Sequence, residues 1–248
     1  MSTQGNSPVV RSALALNVLA DKMGWLPGSF MKLMSPLGQQ WIINRSTILP
    51  VAQDQVYPLA DERHALVILH GVAVAEHIHA EPNLPGLDTV IGAGDVVGAD
   101  RLVIGSTRLG SVLQVRFKTS GTVLRLPPTA FEPMHGELRP DENVVALLQA
   151  TMCTCQQEVI QRSWFALPVA DRVARLLAHL ADRFGTPVAD SDDRVLDFRL
   201  TQQELASAVA ASPASIDKAL GRLRGRGRIT TGYRRIVVHR PRNGARRL

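Results

Sequence analysis

Apolar positions change period along the chain, and the changes mark distinct regions. Residues 1–40 are mixed and predict helix, with the helical stretch ending near Ser35-Pro36. Within them, the short apolar run 12–20 is broken by Asn17 and runs into Asp21-Lys22, so it predicts an N-terminal helix rather than a signal segment. From Trp41 to about Pro128 the pattern is one of short apolar runs, at 66–69, 72–74, 96–97 and 123–126. Gly71, Gly86, Gly92, Gly94, Gly98 and Gly121 punctuate them. Leu113-Gln114-Val115-Arg116-Phe117-Lys118 alternates apolar with polar, as a half-buried strand does. Many short strands at close spacing predict a barrel or sandwich.

The period then becomes helical. Between Glu142 and Ser163, apolar residues fall at Val145, Leu148, Met152, Cys155 and Val159, an a/d seam sustained over about three heptads. A long helix leaving a β-domain with such a seam needs a partner surface, and a second copy of the same helix is the expected one. Cys153 and Cys155 lie two apart on this helix, where side chains do not face each other, so no intrachain disulfide is expected. With no second cysteine pair there is no four-ligand zinc set, and the thiols read as buried. A further helix follows Pro168, with Val169, Val173, Leu176, Leu177, Leu180 and Phe184 on one face and Gly185-Thr186-Pro187 closing it. Residues 188–198 read as a polar connection with one strand at 195–198.

The segment from Leu200 to Leu223 is the most informative. Thr201 followed by Glu204 is a capping box, and Ser212-Pro213 supplies an N-cap and a first-turn proline for a second helix. Two short helices joined by about three residues form a helix-turn-helix layout. The outward stripe of the second helix is Ala214, Ser215, Lys218 and Arg222, with small residues where the helix approaches base edges and cations where it reaches bases or phosphates. Residues 228–231, 232–235 and 236–238 predict strand, turn and strand: a wing whose tip carries Arg234 and Arg235. The candidate DNA contacts are therefore Thr201, Gln202, Gln203, Ser212, Ala214, Ser215, Lys218, Arg222, Arg234 and Arg235.

Charge sharpens this picture. Residues 213–248 carry eleven Lys or Arg against the single acid Asp217, a local +10 in a chain of net +6, which leaves −4 for the rest. Such one-ended basicity is the electrostatic footprint of a polyanion binder. No apolar run approaches the ~20 residues that cross a bilayer, so no membrane partner is expected and the cytoplasm is the default compartment. No catalytic triad order, phosphate-binding glycine loop or Cys-His nucleophile pattern stands out, and no catalytic residue is assigned.

With these residues in place, the chain resembles the Crp/Fnr superfamily of bacterial regulators from about Trp41 to His239. The matching stretches are residues 66–74, Gly94-Asp95-Val96-Val97-Gly98, the long helix, Asp171-Arg172-Val173-Ala174 and Leu200-Thr201-Gln202-Gln203-Glu204-Leu205. The resemblance implies an α+β chain: an N-terminal β-roll (double-stranded β-helix), a long dimerisation helix and a C-terminal winged helix-turn-helix. The divisions expected are 1–40 helical segment, 41–140 cyclic-nucleotide-binding-like sensor, 141–164 dimerisation helix and 165–248 DNA-binding domain. It implies a homodimer on a palindromic operator that engages RNA polymerase, with a small-molecule or nucleotide effector shifting the dimer between DNA-competent and incompetent arrangements.

The effector pocket would be lined by Gly94, Asp95, Gly98, Ala99, Asp100, Ser111 and Val112. Cyclic-nucleotide-binding members carry a ribose-holding Glu where this chain has Ala99, and an Arg-Ser pair where it has Ser111-Val112, with Arg108 three residues early. A buried phosphate without its arginine is poorly compensated, so cyclic AMP held in the usual way is not expected. An N-terminal cysteine cluster for iron–sulfur sensing is absent; His64, His70, His77 and His79 are candidate haem ligands but read better as surface or strand-edge histidines. Pro213-Ala214 stands where readers of the best-known operator carry Arg and Glu, so the operator should differ. Two alternatives stay open: a cupin-like metalloenzyme using His77, His79 and Glu81, and an effector-independent DNA-binding protein.

Overall fold

Ser35 and Pro36 begin a helix rather than end one, which corrects the expected end of the helical segment. The Ser35 hydroxyl accepts the Gly38 amide at 3.2 Å and Pro36 takes the first helical turn, the same cap chemistry as Ser212-Pro213. In this computed structural model, which describes residues 24–59, 64–79, 86–99, 111–131 and 141–240, that helix, α2 (Pro36–Arg45), follows a short α1 (Phe30–Leu33). It runs through Trp41, where strands were expected to start, because Trp41, Ile42 and Ile43 bury one face of it. The Trp41 indole N–H donates to the Ala130 carbonyl at 3.3 Å. The apolar run 12–20, Glu81, Asp100, Arg108 and the last eight residues lie outside the described residues.

Strands follow: β1 (Thr47–Val51), β2 (Val56–Pro58), β3 (Ala65–His70), β4 (Ala73–His79), β5 (Gly86–Ile91), β6 (Val96–Val97), β7 (Ser111–Phe117) and β8 (Gly121–Leu126). Among the described residues they form two antiparallel sheets, ordered β1-β8-β3-β6 and β2-β7-β4-β5. The runs that looked continuously apolar are strands buried on both faces. In β3, Leu66 and Ile68 join Val115, Phe117 and Val123 in the space between the sheets, while Ala65, Val67 and Leu69 face a helical layer built from α1, α2 and the next helix. The second sheet repeats this: Ala73 and Ala75 of β4 point to the interior, and Val74 points the other way.

After a 3₁₀ turn (Pro128–Phe131) comes the long helix α3 (Asp141–Ser163), and after a second one (Trp164–Ala166) comes α4 (Val169–Phe184). The remaining elements are β9 (Thr186–Pro187), β10 (Arg194–Leu196), α5 (Gln202–Ala208), α6 (Pro213–Gly225), β11 (Ile229–Gly232) and β12 (Arg235–Val238). The last four strands form a sheet ordered β11-β12-β10-β9. Val173, Leu176, Leu177 and Leu180, the apolar face expected of α4, are buried with Leu205, Ile216, Leu220 and Ile236 in one core. Full burial of a side chain such as Leu177 is worth roughly 1.5–3 kcal/mol. Val74 and Val90 of the second sheet belong to the same core, so the C-terminal domain is packed onto the β-roll. No described helix is long and apolar enough to cross a membrane.

Candidate nucleic-acid interface

Both helix starts expected from the sequence form with their caps made. The Thr201 hydroxyl accepts the Glu204 amide at 3.1 Å, and the Glu204 carboxylate accepts the Thr201 amide at 2.7 Å, a closed capping box at the start of α5. The Ser212 hydroxyl accepts the Ser215 amide at 3.2 Å, with Pro213 in the first turn of α6. Between the helices, Ala210 takes φ 49° and the Ala211 amide returns to the Ala206 carbonyl at 2.9 Å. Arg172 of α4 braces this turn, donating to the Val209 carbonyl at 2.6 Å and the Ala210 carbonyl at 3.2 Å. The sequence marks Asp171-Arg172-Val173-Ala174 without revealing this role. Its target is a pair of backbone carbonyls, which no residue pattern displays.

Ile216, Ala219, Leu220 and Leu223 of α6 face the core, which leaves the opposite stripe outward. Ala214, Lys218 and Arg222 are exposed or half-exposed, as is Ser215, so the four predicted contacts share one face. Gln202 and Gln203 are exposed at the start of α5, and the Gln202 amide donates to the Asp217 carboxylate at 3.3 Å, joining the two helices across that face. At the wing, Gly232 pairs with Arg235 and the two-residue turn Tyr233-Arg234 has Arg234 at φ 58°. Arg234 and Arg235 are exposed, and so is Tyr233, at 89%. No sequence pattern marks Tyr233; its exposure puts a flat aromatic ring between Gly232 and two cations at the wing tip. The base of the wing is stapled: Asp193 accepts from His239 at 2.8 Å and from the Arg240 amide at 3.0 Å, and the other ring nitrogen of His239 lies 2.7 Å from the Thr230 hydroxyl.

Among the described residues, two ion pairs well shielded from solvent hold this domain to the β-roll, and neither was visible in the sequence. Lys118, just past β7, pairs with Glu204, both largely buried. Arg183 in the last turn of α4 pairs with Asp95 at 2.5 Å. The other Asp95 oxygen accepts the Gly92 amide at 2.9 Å. Burial pushes the Asp95 carboxyl above its ordinary 3.8, with Arg183 opposing.

Asp95 was expected in an effector pocket, and the structure commits its carboxylate to a turn and an interdomain pair instead. Gly94 (φ 91°) and Gly98 (φ 77°) form the turns around it, and a Cβ on Gly94 would fall 2.4 Å from the Ser29 hydroxyl. Ala99 packs into the helix-facing core. Ser111 and Val112 open β7 opposite His79 and Ile78, while Asp100 and the side chains of Ser111, Val112, His77 and His79 lie outside what is described.

Burial divides the apolar residues of the long helix into two sets. Ala146, Leu147 and Ala150 are buried against the chain's own β-roll, whereas Val145, Leu148, Met152 and Val159 are 47%, 56%, 62% and 67% exposed. Ile160 is also exposed, at 55%. The Cys155 side chain lies outside the described residues, and Cys153 is half-buried rather than fully so.

Residues 171–243 match the family model of the Crp-like helix-turn-helix domain. No curated protein matches the chain in sequence. Among solved structures, a CRP/FNR family transcriptional regulator from Thermus thermophilus aligns at 22% identity and TM-score 0.59, over 77% of this chain and 93% of its own. The cyclic-di-GMP-responsive global regulator of Xanthomonas campestris aligns at 18% identity and TM-score 0.63, over 84% of this chain and 100% of its own. FixK2 of Bradyrhizobium japonicum aligns at 15% identity and TM-score 0.61, over 79% and 93%. The chain therefore carries a Crp-like helix-turn-helix domain at residues 171–243 and has the fold that these regulators share.

Proposed function

We propose that the protein binds a palindromic operator as a homodimer, presenting two copies of α6 to successive major grooves. The observation that carries this is the conjunction of an outward, cationic α6 face with an exposed apolar seam along α3. Ala214, Ser215, Lys218 and Arg222 read or contact the groove, Thr201, Gln202, Gln203 and Ser212 lie at helix starts suited to phosphate, and Arg234 and Arg235 extend the contact from the wing. Val145, Leu148, Met152, Cys155 and Val159 form the dimer seam. Bound near a promoter, such a dimer recruits or blocks RNA polymerase.

Control by an effector in the β-roll follows the family's plan, with a ligand other than cyclic AMP held in the usual way. Filling of the described interior by Leu66, Ile68, Val115, Phe117 and Val123, all at most 1% exposed, favours the second reading, an effector-independent regulator. Selecting bound duplexes from a random pool tests the proposal. Enrichment of a palindrome with half-sites ~34 Å apart supports it, and enrichment of single half-sites or of nothing counts against it. The enriched duplex then screens effectors, cyclic AMP and cyclic di-GMP among them; an unchanged affinity with every one supports the effector-independent reading.

A further inference from the structure

One turn of the β-roll reaches the tip of the wing. Residues 52–55 form a tight turn closed by the Gln55 amide on the Ala52 carbonyl at 3.2 Å, with Asp54 at φ 64°. The turn is fixed to the end of β7: the Asp54 amide donates to the Phe117 carbonyl at 2.8 Å, and the Phe117 amide to the Gln55 carbonyl at 2.9 Å. Lys118, the next residue, holds Glu204 of the helix-turn-helix. The same two-residue stretch therefore anchors both the turn and the domain that carries the wing. As a result, the Asp54 carboxylate lies 3.8 Å from the Arg234 guanidinium.

We propose that Asp54 is a built-in competitor for the DNA phosphate at Arg234, so that the β-roll restrains the wing of its own chain until DNA displaces it. This rests on the DNA-binding reading above. A carboxylate and a phosphate oxygen ask the same of a guanidinium, and one Arg234 does not serve both in the forked geometry that makes such contacts strong. A carboxylate left beside a phosphate also repels it within the ~8 Å screening length of physiological salt. Lys118–Glu204 and Arg183–Asp95 are better shielded from solvent than Asp54–Arg234, whose side chains are 72% and 38% exposed. The domains thus stay docked while the wing contact is the part that exchanges. An exposed pair is weak enough for DNA to replace, which suits a restraint rather than a lock.

The test is a double-mutant cycle in the full chain, with affinity for the enriched duplex measured by fluorescence anisotropy in low and physiological salt. Asp54→Asn keeps the fold, since asparagine tolerates the positive φ that the turn needs. It is expected to tighten binding about two- to fivefold, the span of one exposed ion pair, and less so as salt rises. In an Arg234→Gln background the same substitution is expected to give a clearly smaller gain, the part left by direct repulsion of the phosphate. An equal gain in that background would show a general charge effect, and no gain in the wild type would show no competition; either overturns the proposal alone. Failure of the wild type to bind any duplex would overturn the DNA-binding reading and this proposal together.

Discussion

Truncating Leu148 should weaken self-association far more than it weakens the fold. Leu148 is 56% exposed in the single chain, so roughly half of the 1.5–3 kcal/mol available from burying a leucine remains to be gained at an interface. In a two-fold symmetric pair each seam residue is lost twice, which makes the cost of Leu148→Ala roughly 2–3 kcal/mol. That corresponds to about a 30- to 150-fold rise in the dimer dissociation constant. Sedimentation equilibrium across a concentration series reads this directly, with thermal unfolding as a check on the fold. Leu37→Ala supplies the control, because Leu37 is equally exposed at 60% yet lies on α2, away from the seam. A dissociation constant unchanged by Leu148→Ala, or raised as much by Leu37→Ala, would refute the assignment of the seam.

Removal of either cap should cost about 1 kcal/mol: Thr201→Ala opens the capping box of α5 and Ser212→Ala uncaps α6, each seen as a lower midpoint in urea. Lys118→Met should destabilise by about 3 kcal/mol because it leaves Glu204 buried and unpaired. Adding Glu204→Gln, which retains a capping-box side chain, should recover most of that loss, again by urea unfolding. Burial, and then the Arg183 charge, lowers the pKa of His179 from its ordinary 6.5. Below 6.5 the unfolded chain takes up a proton that the folded chain declines, so this group's stabilising effect is present above that value and is lost as pH falls. Unfolding free energies from pH 5 to 8 should therefore show a shallower acid-side decline for His179→Gln than for the wild type.

Local chemistry made much of the site legible before any coordinates. A capping box, an N-capped proline start and a 3.6-residue period are encoded within a few residues of where they act, and Thr201, Ser212 and the outward stripe of α6 fell where those signals put them. The same kind of signal at Ser35-Pro36 reads as an ending because no clear apolar period follows it; Trp41, Ile42 and Ile43 are consecutive rather than spaced. Contacts between distant segments left no trace. Lys118 and Glu204 are 86 residues apart and Arg183 and Asp95 are 88 apart, and only the docking of the two domains brings them together. Asp95 shows the consequence: its place in a Gly-Asp-x-x-Gly turn suggested a ligand contact, whereas its carboxylate is spent on Gly92 and Arg183.

The salt dependence of operator binding, compared between the wild type and Lys218→Ala, Arg222→Ala and Arg235→Ala, tests the central claim most directly. A phosphate-neutralising interface predicts a steep negative slope of log affinity against log salt, with each lost phosphate contact making it shallower by roughly 0.9. A substitution that instead relaxes preference at one base pair while leaving the slope intact marks a base-reading side chain. A shallow slope that none of the three substitutions alters, on a duplex bound no better than random sequence, would contradict the account.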